Sequence, residues 1–219
     1  MIQAKNLQAP VGLSHHFLNQ AESVSGLYDK NIKEASSCAQ IHSGNISVAS
    51  RKKYYEGCDG IIASEGRSLI IRTADCLPLL FFSTGKKLIG AVHAGWRGLS
   101  AGILQNAVRK LKDLGADVSE LQVAIGPHIR RCCYQVGSEL IENFTRKIPG
   151  VKFFEERHQS FYLDLSVVAQ RQLSDAGLSA GNMEDTAICT SCNPEYASFR
   201  RDKTLLRNFS IIQLESSKG

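Results

Sequence analysis

A cysteine and a histidine close two apolar runs near the middle of this chain. Cys76 follows the run 69–74, and His93 follows the run 88–92. Short apolar runs of this kind are typical of buried strands. Because ligand sites are often built at the ends of neighbouring strands, the sequence predicts that the thiol and the imidazole meet at one site.

A third side chain of suitable chemistry is His42, upstream of both. Two histidines and one cysteine suit a zinc ion that keeps one position open for water or substrate. Cys76 and His93 also fit the nucleophile and base of a cysteine hydrolase that acts as a deamidase or amidase. A protein that only holds a metal and docks a partner is a further reading, which an open three-ligand site disfavours.

Length and composition bound the class of protein. The chain has 219 residues and 24.0 kDa, which predicts one domain over 1–219. The net charge of +5 favours small anions such as phosphate over nucleic acid. The apolar runs are too short to cross a bilayer, and the first residues lack a secretory pattern. We therefore expect a cytoplasmic protein without a membrane or nucleic-acid partner.

The elements that must position the site alternate between strand-like and helix-like patterns. The sequence predicts strands over 69–74, 77–82, 88–93, 121–125, 161–163, 187–189 and 209–212, and helices over 99–114, 138–144 and 165–176. Ser138 and Asp164 are the expected caps of the last two helices. The first 35 residues predict no firm element. This alternation indicates an α/β or mixed α+β domain with a covered sheet.

Three arginines could bind an anion near the paired strands. Arg97 stands where the chain enters the long predicted helix, a place that suits phosphate or a structural salt bridge. Arg200 and Arg201 are adjacent, so both cannot point into one pocket, and one of them should be structural. Asp75 is expected to alternate with Cys76 along a strand and to face the other way. Its favoured role is a hydrogen bond that fixes a loop or helix, and its alternative role is to orient a ligand imidazole.

Seven cysteines make an odd number, with an adjacent pair at 132–133 and a C-x-x-C segment at 189–192. In a reducing compartment these are expected as ligands, nucleophiles or buried small residues. A structural zinc site would need a second pair of cysteines, and the pair 132–133 has the wrong internal spacing. A packing or minor pocket role is therefore predicted, with Cys192 as a control thiol whose replacement leaves bound metal nearly unchanged.

Eight motifs follow one another along the chain in a specific order. They are Gln40-Ile41-His42, Cys58-Asp59-Gly60, Thr73-Ala74-Asp75-Cys76-Leu77-Pro78, His93-Ala94-Gly95-Trp96-Arg97-Gly98, Ile125-Gly126-Pro127, Cys132-Cys133-Tyr134-Gln135-Val136, Cys189-Thr190 and Ser198-Phe199-Arg200-Arg201-Asp202. With them the chain resembles the YfiH family, also called laccase-domain or polyphenol oxidase-like proteins. The resemblance covers roughly residues 38–214.

The resemblance implies a layered α/β/β/α sandwich related to the catalytic domain of the cytotoxic necrotizing factor toxins. It implies an enzyme, a purine nucleoside phosphorylase with adenosine deaminase activity, that acts on adenosine, inosine and methylthioadenosine with inorganic phosphate. The metal ligands that the resemblance implies are His42, Cys76 and His93. Cys76 and His93 are also the candidate catalytic residues, and Arg97 with one of Arg200 and Arg201 are the candidates for phosphate or substrate contacts, because phosphorolysis needs cationic groups.

Two points qualify what the resemblance implies. The older description as a copper-dependent laccase-like polyphenol oxidase needs several coppers, whereas the sequence offers one cluster of three ligands. Copper would still enter that site by substitution, because it outranks zinc in affinity. The N-terminal segment also lacks the Arg-x-Gly-Gly stretch usual in the family, so phosphate contacts from that stretch are not expected. The sequence implies no particular protein partner.

Overall fold

A six-stranded sheet forms the centre of the molecule. The structure is a computed structural model and describes residues 2–8, 10–24, 34–50 and 52–216. The strands are β1 (Leu13–Leu18), β2 (Ser37–Cys38), β3 (Ile46–Val48), β4 (Tyr54–Tyr55), β5 (Gly60–Ser64), β6 (Arg67–Thr73), β7 (Leu77–Ser83), β8 (Leu88–Ala94), β9 (Leu121–Ile125), β10 (Gln135–Val136), β11 (Phe154–Arg157), β12 (Ser160–Leu163), β13 (Met183–Asp185) and β14 (Asn208–Leu214). The helices are α1 (Gln20–Val24), α2 (Trp96–Ser100), α3 (Ile103–Asp113), α4 (Ser138–Lys147), α5 (Leu165–Asp175) and α6 (Phe199–Asp202). The central order is β13-β9-β7-β8-β5-β3.

The central strands β7 and β8 are buried along their whole length. Side chains of β7 alternate between two apolar cores, since successive residues of a strand point to opposite faces. Leu79 and Phe81 pack into the core that contains helices α3 and α5. Leu80 and Phe82 pack into the core on the opposite face. Continuous apolar runs, rather than alternating ones, follow from this burial on both sides.

A smaller sheet of order β1-β14-β6 covers the opposite face of the central sheet. Phe17 and Ile212 contribute to the core between the two sheets. Helix α1 contacts β14, and Leu18, Ile70 and Ile211 form a small cluster apart from that core. The layers confirm the predicted α/β/β/α sandwich, and the relation to the toxin domain stays a prediction. Within the described residues, no helix has the length and apolar character needed to span a bilayer.

The long helix predicted over 99–114 is wrong as a single element, because the chain forms α2 and α3 there. Gly102 separates them with a φ of +77°, in the left-handed region that favours glycine. A helical apolar period continues across such a break, so periodicity alone did not show it. The break lets α2 follow β8 directly, with Gly95 as its N-terminal cap.

Three further predictions of local structure need correction, and one cap is confirmed. Ser138 is the first residue of α4 rather than its cap, which is Gly137. Residues 187–189 form one isolated bridge from Cys189 to His128, and β13 is the strand that pairs with β9. The first 35 residues contain β1, which forms because β14 supplies its partner. Asp164 caps α5 as predicted, accepting from the backbone N–H groups of Ser166 and Val167.

A buried histidine makes the stability of this fold sensitive to acid. His15 on β1 is 1% exposed, and its Nε2 accepts a hydrogen bond of 2.9 Å from the backbone N–H of Ala4. Burial, aided by the charge of His16, lowers the pKa of His15 to about 4, against the opposing charge of Glu184. His15 is therefore neutral in the folded protein where it would be charged in the unfolded chain.

We expect the free energy of unfolding to fall between about pH 6.5 and pH 4, because there the unfolded chain binds a proton at His15 that the folded protein does not. The contribution of this residue is about 2–3 kcal/mol. Urea unfolding at several pH values measures it. A His15→Gln variant keeps an acceptor for Ala4 and should lose this part of the pH dependence. An unchanged pH profile in that variant would contradict the assignment.

Candidate metal centre

The side chains of His42, Cys76 and His93 converge at one end of the central sheet. One ligand atom from each lies within 4.8 Å of the others. Cys76 Sγ is 3.9 Å from His42 Nε2, and the two imidazole rings are edge to face with centroids 4.8 Å apart. The structure therefore brings together all three ligands that the resemblance implies.

Strand pairing explains how Cys76 and His93 meet. Antiparallel β7 and β8 place Pro78 opposite His93, and Cys76 lies in the turn just before β7. Gly95 follows β8 and lies beside Cys76 and His42. A Cβ atom at Gly95 would lie 3.0 Å from Cys76 Sγ and 3.2 Å from His42 Cδ2. Only glycine lets the backbone approach the two ligands this closely.

Asp59 fixes the loop that carries His42. Its carboxylate accepts hydrogen bonds from the backbone N–H of His42 at 2.8 Å and of Ser43 at 2.6 Å, and from Ser43 Oγ at 2.7 Å. These bonds hold His42 at a φ of +62°, a left-handed conformation that is uncommon for histidine. The carboxylate thus stabilises a strained backbone at a ligand position.

The same carboxylate orients His93. Asp59 Oδ1 lies 2.9 Å from His93 Nδ1, and both side chains are buried. A carboxylate at Nδ1 leaves Nε2 of His93 as the ligand atom, the usual arrangement around a metal-bound histidine. The sequence motif Cys58-Asp59-Gly60 contained this residue, but nothing in its spacing showed that it would reach His93.

Charge is strongly redistributed among these groups. Burial opposes ionisation of Asp59, but hydrogen bonds from His93, Ser43 and His42 lower its pKa to about 2. Burial also opposes ionisation of Cys76, yet His42 and His93 lower the pKa of that thiol to about 6. Burial would keep His93 neutral, but Asp59 and Cys76 raise its pKa to about 9. A thiolate beside imidazoles is what a soft divalent cation requires.

The donor set fits zinc on its chemistry. It has two imidazoles and one thiolate, a carboxylate behind one imidazole, and a face that opens into a cavity of about 830 Å³. Catalytic zinc sites have three protein ligands and an open fourth position. Of the candidate ligands, His42 is exposed and His93 is buried, so an open coordination position would be on the His42 side.

Cationic side chains surround the cavity. The lining includes Arg72, Arg97, Arg200, Lys203 and Arg207. Five positive groups around one opening favour an anionic ligand. Of these five, the sequence predicted Arg97 and Arg200 as anion-binding residues. It did not predict Arg72, which is distant from both along the chain, or Lys203 and Arg207, which lie outside the predicted elements.

The three predicted anion-binding arginines differ in position. Arg97 is exposed and stacks on Trp96, with Cζ 4.3 Å from the ring centroid. Arg200 donates to the carbonyl of Gln135 at 2.9 Å, with Cζ 5.3 Å from the Tyr134 ring. Arg201 does not line the cavity and instead donates to backbone carbonyls, such as those of Thr190 and Tyr196. The structure brings Arg97 and Arg200 to the cavity and leaves Arg201 outside it.

Asp75 is not on a strand with Cys76, contrary to the prediction. It lies in the turn between β6 and β7 with a φ of +87°. One carboxylate oxygen accepts from Thr190 Oγ1 at 2.7 Å and the other from the backbone N–H of Arg200 at 2.6 Å. Its role as a hydrogen-bond acceptor that fixes a helix is confirmed. The carboxylate that contacts a candidate ligand imidazole is that of Asp59 instead.

The two cysteine pairs also meet, a contact that the sequence did not predict. The four sulfurs of Cys132, Cys133, Cys189 and Cys192 lie within 4.8 Å of one another. The turn after β9 and the segment before α6 bring them together, at the bridge between His128 and Cys189. Spacing along the chain gave no sign of this contact.

Comparison with known proteins identifies the family. The model of the family described as multi-copper polyphenol oxidoreductase laccase matches residues 17–215. The chain belongs to this family, which confirms the resemblance drawn from the motifs.

Similar proteins include a purine nucleoside phosphorylase from Clostridium acetobutylicum, 34% identical over 83% of this chain and 78% of that protein. An adenosine deaminase from an unknown prokaryotic organism is 28% identical over 70% of this chain and 60% of that protein. The crystal structure of YlmD from Geobacillus stearothermophilus superposes with a TM-score of 0.84 at 24% identity, covering 97% of this chain and 94% of that one. The curated relatives confirm the prediction of an enzyme, and YlmD confirms the fold.

Proposed function

We propose that this protein is a zinc-dependent purine nucleoside enzyme. Its main reaction is phosphorolysis of adenosine, inosine and methylthioadenosine, and its second reaction is deamination of adenosine. The observation that carries the proposal is a three-ligand metal site that opens into a cation-lined cavity. The names of the curated relatives support the same two reactions.

Phosphorolysis needs an anion and a nucleoside held together. A phosphate oxygen attacks the anomeric carbon, the bond to the purine nitrogen breaks, and the base leaves with a proton. Arg97 and Arg200 are our candidates to hold the phosphate, because guanidinium groups bind its oxygens with paired hydrogen bonds. Positioning two reactants in this way removes much of the entropic cost of their encounter.

His42, Cys76 and His93 would hold the metal, and when bound, zinc supplies Lewis-acid chemistry at its open position. Asp59 keeps His93 in the tautomer that ligates through Nε2. Copper could replace zinc at the same ligands, since its affinity for such donors is higher.

Tyr134 is a cavity residue that sequence reasoning did not assign. Burial and the negative charge of Cys76 raise the pKa of Tyr134 to about 12. Its hydroxyl therefore stays protonated and is able to donate a hydrogen bond to the base or the ribose. The motif Cys132-Cys133-Tyr134 held this residue, but only the folded chain directs it to the cavity.

A nucleoside panel tests the function. Zinc-loaded protein should release free purine and ribose 1-phosphate from adenosine, inosine and methylthioadenosine when phosphate is present. Inosine should also appear from adenosine without phosphate. Chromatography of the products separates the two reactions, and heat-treated protein is the control. Unchanged nucleosides in all three assays would end the proposal.

Arg97 gives a more specific prediction. Arg97→Gln should raise the KM for phosphate by about tenfold or more, with little change in kcat, because a charge-assisted hydrogen bond is worth about 1.5–3 kcal/mol. Arg109→Gln is the matched control, since Arg109 is exposed on α3 and does not line the cavity. Equal KM values in both variants would remove Arg97 from the phosphate site.

One second function has a specific observation in its favour. The lowered pKa of Cys76 and the raised pKa of His93 resemble the thiolate–imidazolium pair of cysteine hydrolases. Activity that resists chelators, together with covalent trapping of Cys76 by an alkylating substrate analogue, would favour this deamidase or amidase. A multicopper laccase has less support, because only one of the two candidate metal clusters in the described residues contains histidine.

A further inference from the structure

The four-cysteine cluster lies apart from the ligand triad and is not used by the proposed chemistry. Cys132 and Cys133 come from the turn after β9, and Cys189 and Cys192 from the segment before α6. Cys192 Sγ lies 3.4 Å from Cys132 Sγ and 3.3 Å from Cys133 Sγ. All four sulfurs lie within 4.8 Å of one another.

These distances match a single tetrahedral ion. With a zinc–sulfur bond of about 2.3 Å, four thiolates around one zinc ion stand roughly 3.8 Å apart. Two of the sulfur separations, 3.4 and 3.3 Å, lie just below this value, and none exceeds 4.8 Å. Rotation of these side chains would bring the four sulfurs to the tetrahedral separation.

Nearby charge suits four thiolates. A zinc ion with four thiolates carries a net negative charge, which is costly beside apolar groups unless cations lie near. Arg130 and Arg201 lie within electrostatic range of Cys189, and Arg157 within range of Cys132. The cluster therefore lies near arginines from three separate segments, each of which also pairs with a carboxylate.

We propose that Cys132, Cys133, Cys189 and Cys192 form a second, structural metal site that binds one zinc ion. Four protein thiolates close the coordination sphere, which is the arrangement of structural rather than catalytic zinc. The expectation that Cys192 is a control thiol is thereby reversed. The site would clamp together the two segments that carry Tyr134 and Arg200, which are already joined by the hydrogen bond from Arg200 to the carbonyl of Gln135.

Metal counting tests this site without reference to turnover. The full chain, stripped with a chelator and reloaded with zinc, should bind two zinc ions. Cys192→Ser and Cys132→Ser should each bind one, and both side chains are exposed, so folding should survive. Cys38→Ala is the control thiol, since Cys38 is buried in the core between the sheets, and it should keep both ions. Circular dichroism verifies the fold of every variant.

Cobalt substitution identifies the ligands. Four thiolates give cobalt much stronger sulfur-to-metal charge-transfer absorption than one thiolate and two imidazoles. That strong absorption should persist in Cys76→Ala and disappear in Cys192→Ser. The same zinc content in Cys192→Ser as in the unmodified chain, iron in place of zinc, or a disulfide at Cys192 in protein purified under reductant would each overturn the proposal. None of these outcomes depends on nucleoside turnover, so the proposed function stands or falls separately.

Discussion

Cys76→Ala should lose the zinc ion of the ligand triad and nucleoside turnover together. Cys76 supplies the only charged ligand of this site, and its thiolate is already stabilised by two imidazoles. Residues behind the ligands typically contribute about 10–100-fold to metal affinity, so removal of a ligand should cost more than about 100-fold in zinc affinity. Turnover should fall at least as far, because the proposed function depends on the metal.

The measurement is sharpest in a background that contains a single zinc ion. In Cys192→Ser protein, which should lack the four-thiol site, Cys76→Ala should lower the zinc content from one ion to none. His42→Ala should lose zinc and turnover as Cys76→Ala does. The double variant should lose no more than either single variant, because residues that act as one unit give non-additive losses. Full zinc occupancy in His42→Ala would show that His42 is not a ligand. Retained turnover in Cys76→Ala would contradict the metal-dependent mechanism.

Asp59→Asn should have the next largest effect. The buried carboxylate accepts from His93, from the backbone of His42 and from Ser43, whereas an amide has one oxygen acceptor and presents N–H groups to the remaining donors. We expect zinc affinity to fall about 10–100-fold. Competition with a chromophoric chelator measures the affinity, and NMR titration of His93 in metal-free protein should show a lower pKa.

Ser43→Ala is the matched control for Asp59→Asn. It removes one donor to the carboxylate, Ser43 Oγ at 2.7 Å, and leaves the contact between Asp59 and His93 in place. Its effect on zinc affinity should be several times smaller. Equal losses in the two variants would show that Asp59 acts only through the His42 loop and not by orienting His93.

Patterns along the sequence correctly predicted strands that are buried on both faces and a helix that is capped by a neighbouring side chain. The strands β7 and β8 were recognised because both of their faces are apolar, and α5 because Asp164 caps it. The pattern failed where a contact distant in the chain decides the structure. β1 forms because β14 pairs with it, and its own residues alternate too weakly to show a strand.

The sequence by itself determined the mixed α/β class from its apolar runs, and its ordered motifs carried the resemblance that implied the family, the layered fold and the three metal-ligand candidates. Only the tertiary structure decided which other groups serve the sites. Asp59 reaches His93 across the pairing of β5 and β8, and Cys132 meets Cys192 across two loops. Such contacts depend on strand register and loop path, which a linear spacing does not encode, so the carboxylate behind the ligand and the four-thiol cluster appear only once the chain is folded.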